Sequence, residues 1–152
     1  MATFGKINDF ALYGHRGYNP TSDVMQLAFT NTAPASETSD PSADTNGILA
    51  NLTQIAYTNW TDDLTVDRVL TSGTISHLLS SGVATLDYGA DIVITASGGA
   101  IAAWQYIYLF DNTFTSPADL LVNYWDHGSA ISLGDGDSAT LQFNASGIFT
   151  LT

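Results

Sequence analysis

At 152 residues and 16.1 kDa the chain is long enough for one domain with its own core and too short for two, and 45% hydrophobic against 12% charged residues excludes a disordered chain. Three Lys or Arg stand against fifteen Asp or Glu, a formal net charge of −12. That balance excludes nucleic acid as the main partner, because phosphate binding rests on clustered cations, and it disfavours an anionic membrane surface for the same reason.

In chain order, the opening MATFGKINDF lacks a basic region, an apolar stretch and a small-residue cleavage site, so export by a signal peptide is not expected. Asn8 and Asp9 can cap a short apolar turn holding Phe10 and Leu12, which GHRGYNP at 14–20 ends. Residues 1–23 therefore read as a short N-terminal helix or arm. Residues 24–31, VMQLAFTN, put Met25, Leu27 and Phe29 on one face with period two, the mark of a half-buried strand. Residues 32–47 are Ala, Ser, Thr, Asp and Pro without periodicity, a long exposed loop of the kind that is usually functional or mobile. A strand is expected at 52–57. Within 63–82, Leu64, Val66 and Arg68 alternate with Thr65, Asp67 and Val69 before a Ser-Gly break, and 83–99 continues in the same idiom.

The last third predicts strands at 101–111, 120–126, 130–133, 138–143 and 148–151. Between them TFTSPAD and HGS break the run, and GDGD and NASG supply Gly and Asn for tight reversals. No apolar run approaches the roughly 20 residues of a spanning helix. The predicted class is all-β: a single-domain antiparallel sandwich or jelly-roll-like barrel. With no cysteine, stability rests on packing or assembly, since disulfides and thiolate sites are excluded.

Candidate chemistry is sparse. His15, His77 and His127 lie far apart, without the spacing of a helical zinc motif, and no metal or cofactor is expected. GDGD resembles part of a calcium loop but lacks the other acidic ligands and sits where a hairpin turn belongs. Asp126, His127 and Ser129 have the residue types of a hydrolase triad; neighbouring strand residues point to opposite faces, however, and no Gly-x-Ser-x-Gly elbow is present. Asp62 with Asp63, Asp87 with Asp91 and Asp135 with Asp137 could pair as glycosidase carboxylates, yet each lies in or near a turn, where Asp is common for backbone reasons. No enzyme activity is expected.

The aromatic row of SGGAIAAWQYIYLFDNT, residues 97–113, carries the strongest binding signal. In a regular strand Trp104, Tyr106, Tyr108 and Phe110 share one face, and Ile101, Ala103, Gln105, Ile107 and Leu109 the other. Both faces are largely apolar. That predicts a strand covered on both sides, by a second sheet and by a neighbouring subunit; the competing reading is an exposed platform for a glycan.

LAFTNTAPA at 27–35, LANLTQIA at 49–56, ITASGGAIAAWQYIYLFDNT at 94–113, NYWDHGSAISLGDGDSATLQF at 123–143 and GIFTL at 147–151 together resemble a family of small structural proteins of tailed bacteriophages. The resemblance covers about two-thirds of the chain. It implies a virion protein, foremost a capsid decoration (cement) protein on the outer capsid surface that forms homotrimers and clamps the major capsid protein. The contacts it implies are the N-terminal stretch and the 32–47 loop, with Phe4, Phe10, Tyr13, Tyr18, Trp104, Tyr106 and Tyr108 as candidate interface residues. The alternative is a tail-associated or receptor-binding module contacting host glycan.

Overall fold

A computed structural model describes residues 2–7, 10, 17–19, 22–34, 47–62, 68–70, 75–80, 83–144 and 147–151. Among these residues eleven strands follow in chain order: β1 (Thr3–Lys6), β2 (Met25–Thr30), β3 (Trp60–Asp62), β4 (Val69–Leu70), β5 (Ile75–Ser80), β6 (Val83–Tyr88), β7 (Ile92–Ala96), β8 (Ile101–Thr115), β9 (Ala118–Leu133), β10 (Ser138–Leu141) and β11 (Phe149–Leu151). All pairings are antiparallel. They form a five-stranded sheet in the order β1-β9-β8-β2-β4 and two three-stranded sheets, β10-β7-β3 and β11-β6-β5. The all-β sandwich class expected from the alternating pattern is the class observed.

The long hairpin β8–β9 is the spine of the molecule. Leu109 opposite Leu27 and Ile107 opposite Phe29 extend its inner face onto β2. Against that face pack Ile92, Ile94 and Ala96 from β7 and Leu86 and Tyr88 from β6, so the main core is shared by all three sheets. Such burial is the dominant favourable contribution in a chain without disulfides, at about 25 cal/mol per Å² of apolar surface.

The other face of the five-stranded sheet carries a second, smaller core. Ala28, Tyr108, Phe110 and Leu121 are buried there beneath Ile7, Leu49, Leu52, Tyr106 and Tyr124. The sequence predicts a second sheet and a neighbouring subunit over the two faces of this strand without saying which covers which; on this face the same chain contributes cover from the residue after β1 and from a 3-10 turn at Leu49–Asn51.

That turn also revises the strand expected at 52–57. The segment follows β2 without laddering: a single bridge joins Thr30 and Gln54, and Ile55 N donates to Phe29 O at 2.9 Å. Side chains complete the contact, with the Thr30 hydroxyl donating to Thr53 O at 2.6 Å and Phe29 N donating to the Tyr57 hydroxyl at 3.0 Å. These bonds satisfy β2's edge in place of a regular strand. Of the loop expected at 32–47, residues 35–46 lie outside the described residues, and its far end is anchored where Leu121 N donates to Gly47 O at 2.7 Å. The helix expected after Asn8 and Asp9 also lies outside them, apart from Phe10, which meets Tyr18 edge-on at 4.8 Å. Within the segment read as helix or arm, residues 3–6 pair with β9 as an outer strand.

Candidate binding groove

The site grows from one irregularity. HGS was expected to end a strand, yet β9 runs through it from Ala118 to Leu133. Between the pairs Tyr106–Asp126 and Trp104–Ile131, β9 advances five residues while β8 advances two. The four residues His127–Ala130 thus stand opposite Gln105 alone, three more than a regular ladder holds, and bulge into solvent. Gly128 adopts φ 85° there, a conformation costly to residues with a Cβ. The Asp126 carboxylate caps the bulge by accepting from Gly128 N at 2.7 Å, and His127 Nδ1 lies 3.0 Å from Ser129 O.

The same irregularity splits the aromatic row. A regular strand keeps Trp104 and Tyr106 on one face; across the bulge alternation fails, and Trp104 joins Ile101 and Leu109 in the main core while Tyr106, Tyr108 and Phe110 belong to the smaller one. Trp104 is fully buried, meeting Phe29 at 5.6 Å and Trp60 at 5.4 Å; Tyr57 closes the cluster against Trp60 and carries the Arg68 guanidinium 3.5 Å from its ring centre. Tyr108 is buried too, its hydroxyl donating to Thr32 O at 3.2 Å. The row is thus core rather than an exposed platform.

The other candidate residues separate. Phe4 is 40% exposed on β1 and packs edge-on against Trp125 at 6.2 Å. Tyr106 is half-buried and accepts from the Gln105 amide at 3.1 Å. Tyr18 and Phe10 lie together away from Phe4's sheet edge, with the Tyr18 hydroxyl buried near Asp111 and Asp23. Burial, and secondarily those carboxylates, raise the Tyr18 pKa. Tyr13 lies outside the described residues.

On the inner side of the bulge a groove of about 770 Å³ opens between the β8–β9 hairpin and β10, with Trp104, Gln105 and Ile107 on one wall, Leu141, Gln142 and Phe143 on the other, and Trp125 and His127 beside them. Two rings of its lining, Trp125 and Phe143, meet edge-to-face at 5.7 Å, and each is backed by a further ring outside the lining, Phe4 against Trp125 and Tyr88 against Phe143. The Gln105 amide donates to Asp126 Oδ1 at 2.9 Å; that bond and the Gly128 N–H hold the Asp126 carboxyl below its usual range. Gln142 donates to Asp91 Oδ2 at 3.2 Å. Sequence reasoning missed Trp125 and Gln142; the one signal for the first was a Trp two residues before HGS, and Gln142 had none.

The remaining motifs resolve into structure. His127 turns to the backbone oxygen of Ser129, not its hydroxyl, so the three residue types of a triad do not converge. The Asp135 carboxylate of GDGD accepts from Gly98 N and Gly99 N of SGG at 2.9 and 3.1 Å. Among the described residues no three His, Asp or Glu side chains group to hold a metal. His15 and residues 63–67, including Asp63, lie outside the described residues.

Compared with known proteins, the chain finds no match among family models, curated proteins or solved structures.

Proposed function

We propose that this chain is a non-enzymatic structural protein of a phage virion, a capsid decoration protein that associates with itself as a homotrimer and clamps the major capsid protein on the outer surface of the assembled head. Binding only the assembled shell stabilises that state by its differential affinity. The motif resemblance supports the virion role. The observation that carries the docking role is Phe4, a large apolar side chain 40% exposed on β1, one of the two outer strands of the five-stranded sheet. An outer strand presents a row of backbone donors and acceptors on its free side, and natural proteins blunt such edges unless they are used. Phe4 and Trp125 place an apolar anchor beside that edge.

Purified protein mixed with DNA-free expanded capsids tests the reading. Fixed-stoichiometry binding visible by electron microscopy, lost on Phe4→Glu, is expected; absence of binding to capsids, or binding unchanged by that substitution, overturns the assignment of β1 as the contact.

A further inference from the structure

We propose that the groove between the β8–β9 hairpin and β10 binds an uncharged carbohydrate, read through hydrogen-bond acceptors that no described residue engages. The inference goes beyond the virion reading and does not rest on it.

The argument starts from the two glutamines. An ionised carboxylate only accepts hydrogen bonds, so the amide nitrogens of Gln105 and Gln142 must be the atoms facing Asp126 and Asp91, at 2.9 and 3.2 Å. Each amide is thereby oriented, and each Oε1 has no partner among the described residues. His127 follows the same logic, because Nδ1 faces the Ser129 carbonyl oxygen at 3.0 Å and must donate to it. In the neutral ring Nε2 is then an acceptor. Two of these acceptors stand on the hairpin wall and one on the β10 wall.

A ligand that fits must offer hydroxyl donors to both walls and an apolar face to Trp125. Carbohydrate has both: hydroxyls around its rim and C–H groups across its ring. The volume, about 770 Å³, lies within the roughly 300–1,000 Å³ of small-ligand sites. An anion meets a chain of net charge −12 and no Lys or Arg among the described residues that line the groove. A cation meets no carboxylate among the described lining residues; Asp91 and Asp126, outside that lining, each accept from one of the amides. The neutral ligand is the one the wall chemistry favours.

The test uses the full chain at pH 7.5 on an array of neutral glycans built from glucose, galactose, mannose and N-acetylglucosamine, beside sialylated and sulfated counterparts, followed by tryptophan-fluorescence titration of any hit. Binding of a neutral glycan is expected, weakened about tenfold or more in the double variant His127→Ala, Gln142→Ala. Both positions are exposed, so its thermal unfolding should match the parent's. Retention of no neutral glycan, preference for sialylated or sulfated chains, or affinity unchanged in the double variant each overturns the proposal. So does self-association without sugar that the double variant abolishes, which makes the groove a subunit interface. Capsid binding in the same variant is expected to persist, which separates failure here from failure of the decoration role.

Discussion

Asp135 holds Gly98: its Oδ1 accepts from Gly98 N at 2.9 Å, and from the adjacent Gly99 N at 3.1 Å, 36 residues away in sequence. Two turns that look like separate punctuation, SGG before β8 and GDGD before β10, are the halves of one contact. Ala96 N donating to Asp137 O and Gly136 N donating to Ala96 O, both at 2.9 Å, close it from the backbone side. Asp135→Ala removes a charge-assisted acceptor from two amides and is expected to cost about 1–3 kcal/mol. Urea unfolding checks it: the midpoint falls with the slope unchanged, and a midpoint equal to the parent's disproves the clamp.

Gly5 lies beneath the Tyr124 ring on the neighbouring strand, and a Cβ there would fall among the ring's own atoms. Gly5→Ala therefore forces either the ring or β1 away. A cost of about 1–3 kcal/mol is expected, typical of overpacking. Hydrogen exchange of the β1 amides localises the damage, since they alone should lose protection early.

The split of the aromatic row separates the effects of truncation along β8. Trp104→Ala opens a cavity among Phe29, Trp60 and Ile101 and is expected to cost about 3–5 kcal/mol. Tyr106→Ala, at a half-buried position on the opposite face, should cost markedly less. Equal losses in thermal or chemical unfolding would contradict the placement of the two rings in different cores.

Asp111 supplies the pH dependence. Burial raises its pKa to about 6, the nearby Asp23 charge adding to the rise while the N–H groups of Thr113 and Phe114, at 2.8 and 3.2 Å, oppose it. An unfolded Asp titrates near 3.8, so between that value and about 6 the native state binds more protons than the unfolded one. Stability contributed by this group is greatest at low pH, falls as pH rises through that window and is level above it. Asp111→Asn, which keeps the group neutral, should flatten the slope in denaturant unfolding measured from pH 4 to 7; a slope unaltered by the substitution assigns it elsewhere.

Much of the architecture was legible because local chemistry and tertiary demand agreed. Met25, Leu27 and Phe29 alternate, and in β2 all three enter the main core. GDGD has the glycines of a tight reversal, and Asp137 N donates to Gly134 O at 2.9 Å across it. Residues 52–57 were misread because β-branched and aromatic composition marks a buried extended segment without saying what it pairs with; here side-chain bonds to β2 take the ladder's place. The groove was illegible for a related reason, as its walls come from β8, β9 and the end of β10, brought together only by the fold.

By itself, the sequence determined an all-β chain, its acidity, its lack of cysteine and the tight turn at GDGD, since these follow from residue type and period-two patterning; that this turn carries the chain from β9 to a strand of another sheet, and so closes no hairpin, was decided by the fold. Tertiary structure alone decided which face each ring of WQYIYLF meets. A strand's alternation is a local rule, and the register shift opposite His127–Ala130 is set by the pairing of β8 with β9. One irregular step sends Trp104 into the main core, leaves Tyr106 and Tyr108 on the other side, and sets His127 in the lining of the groove.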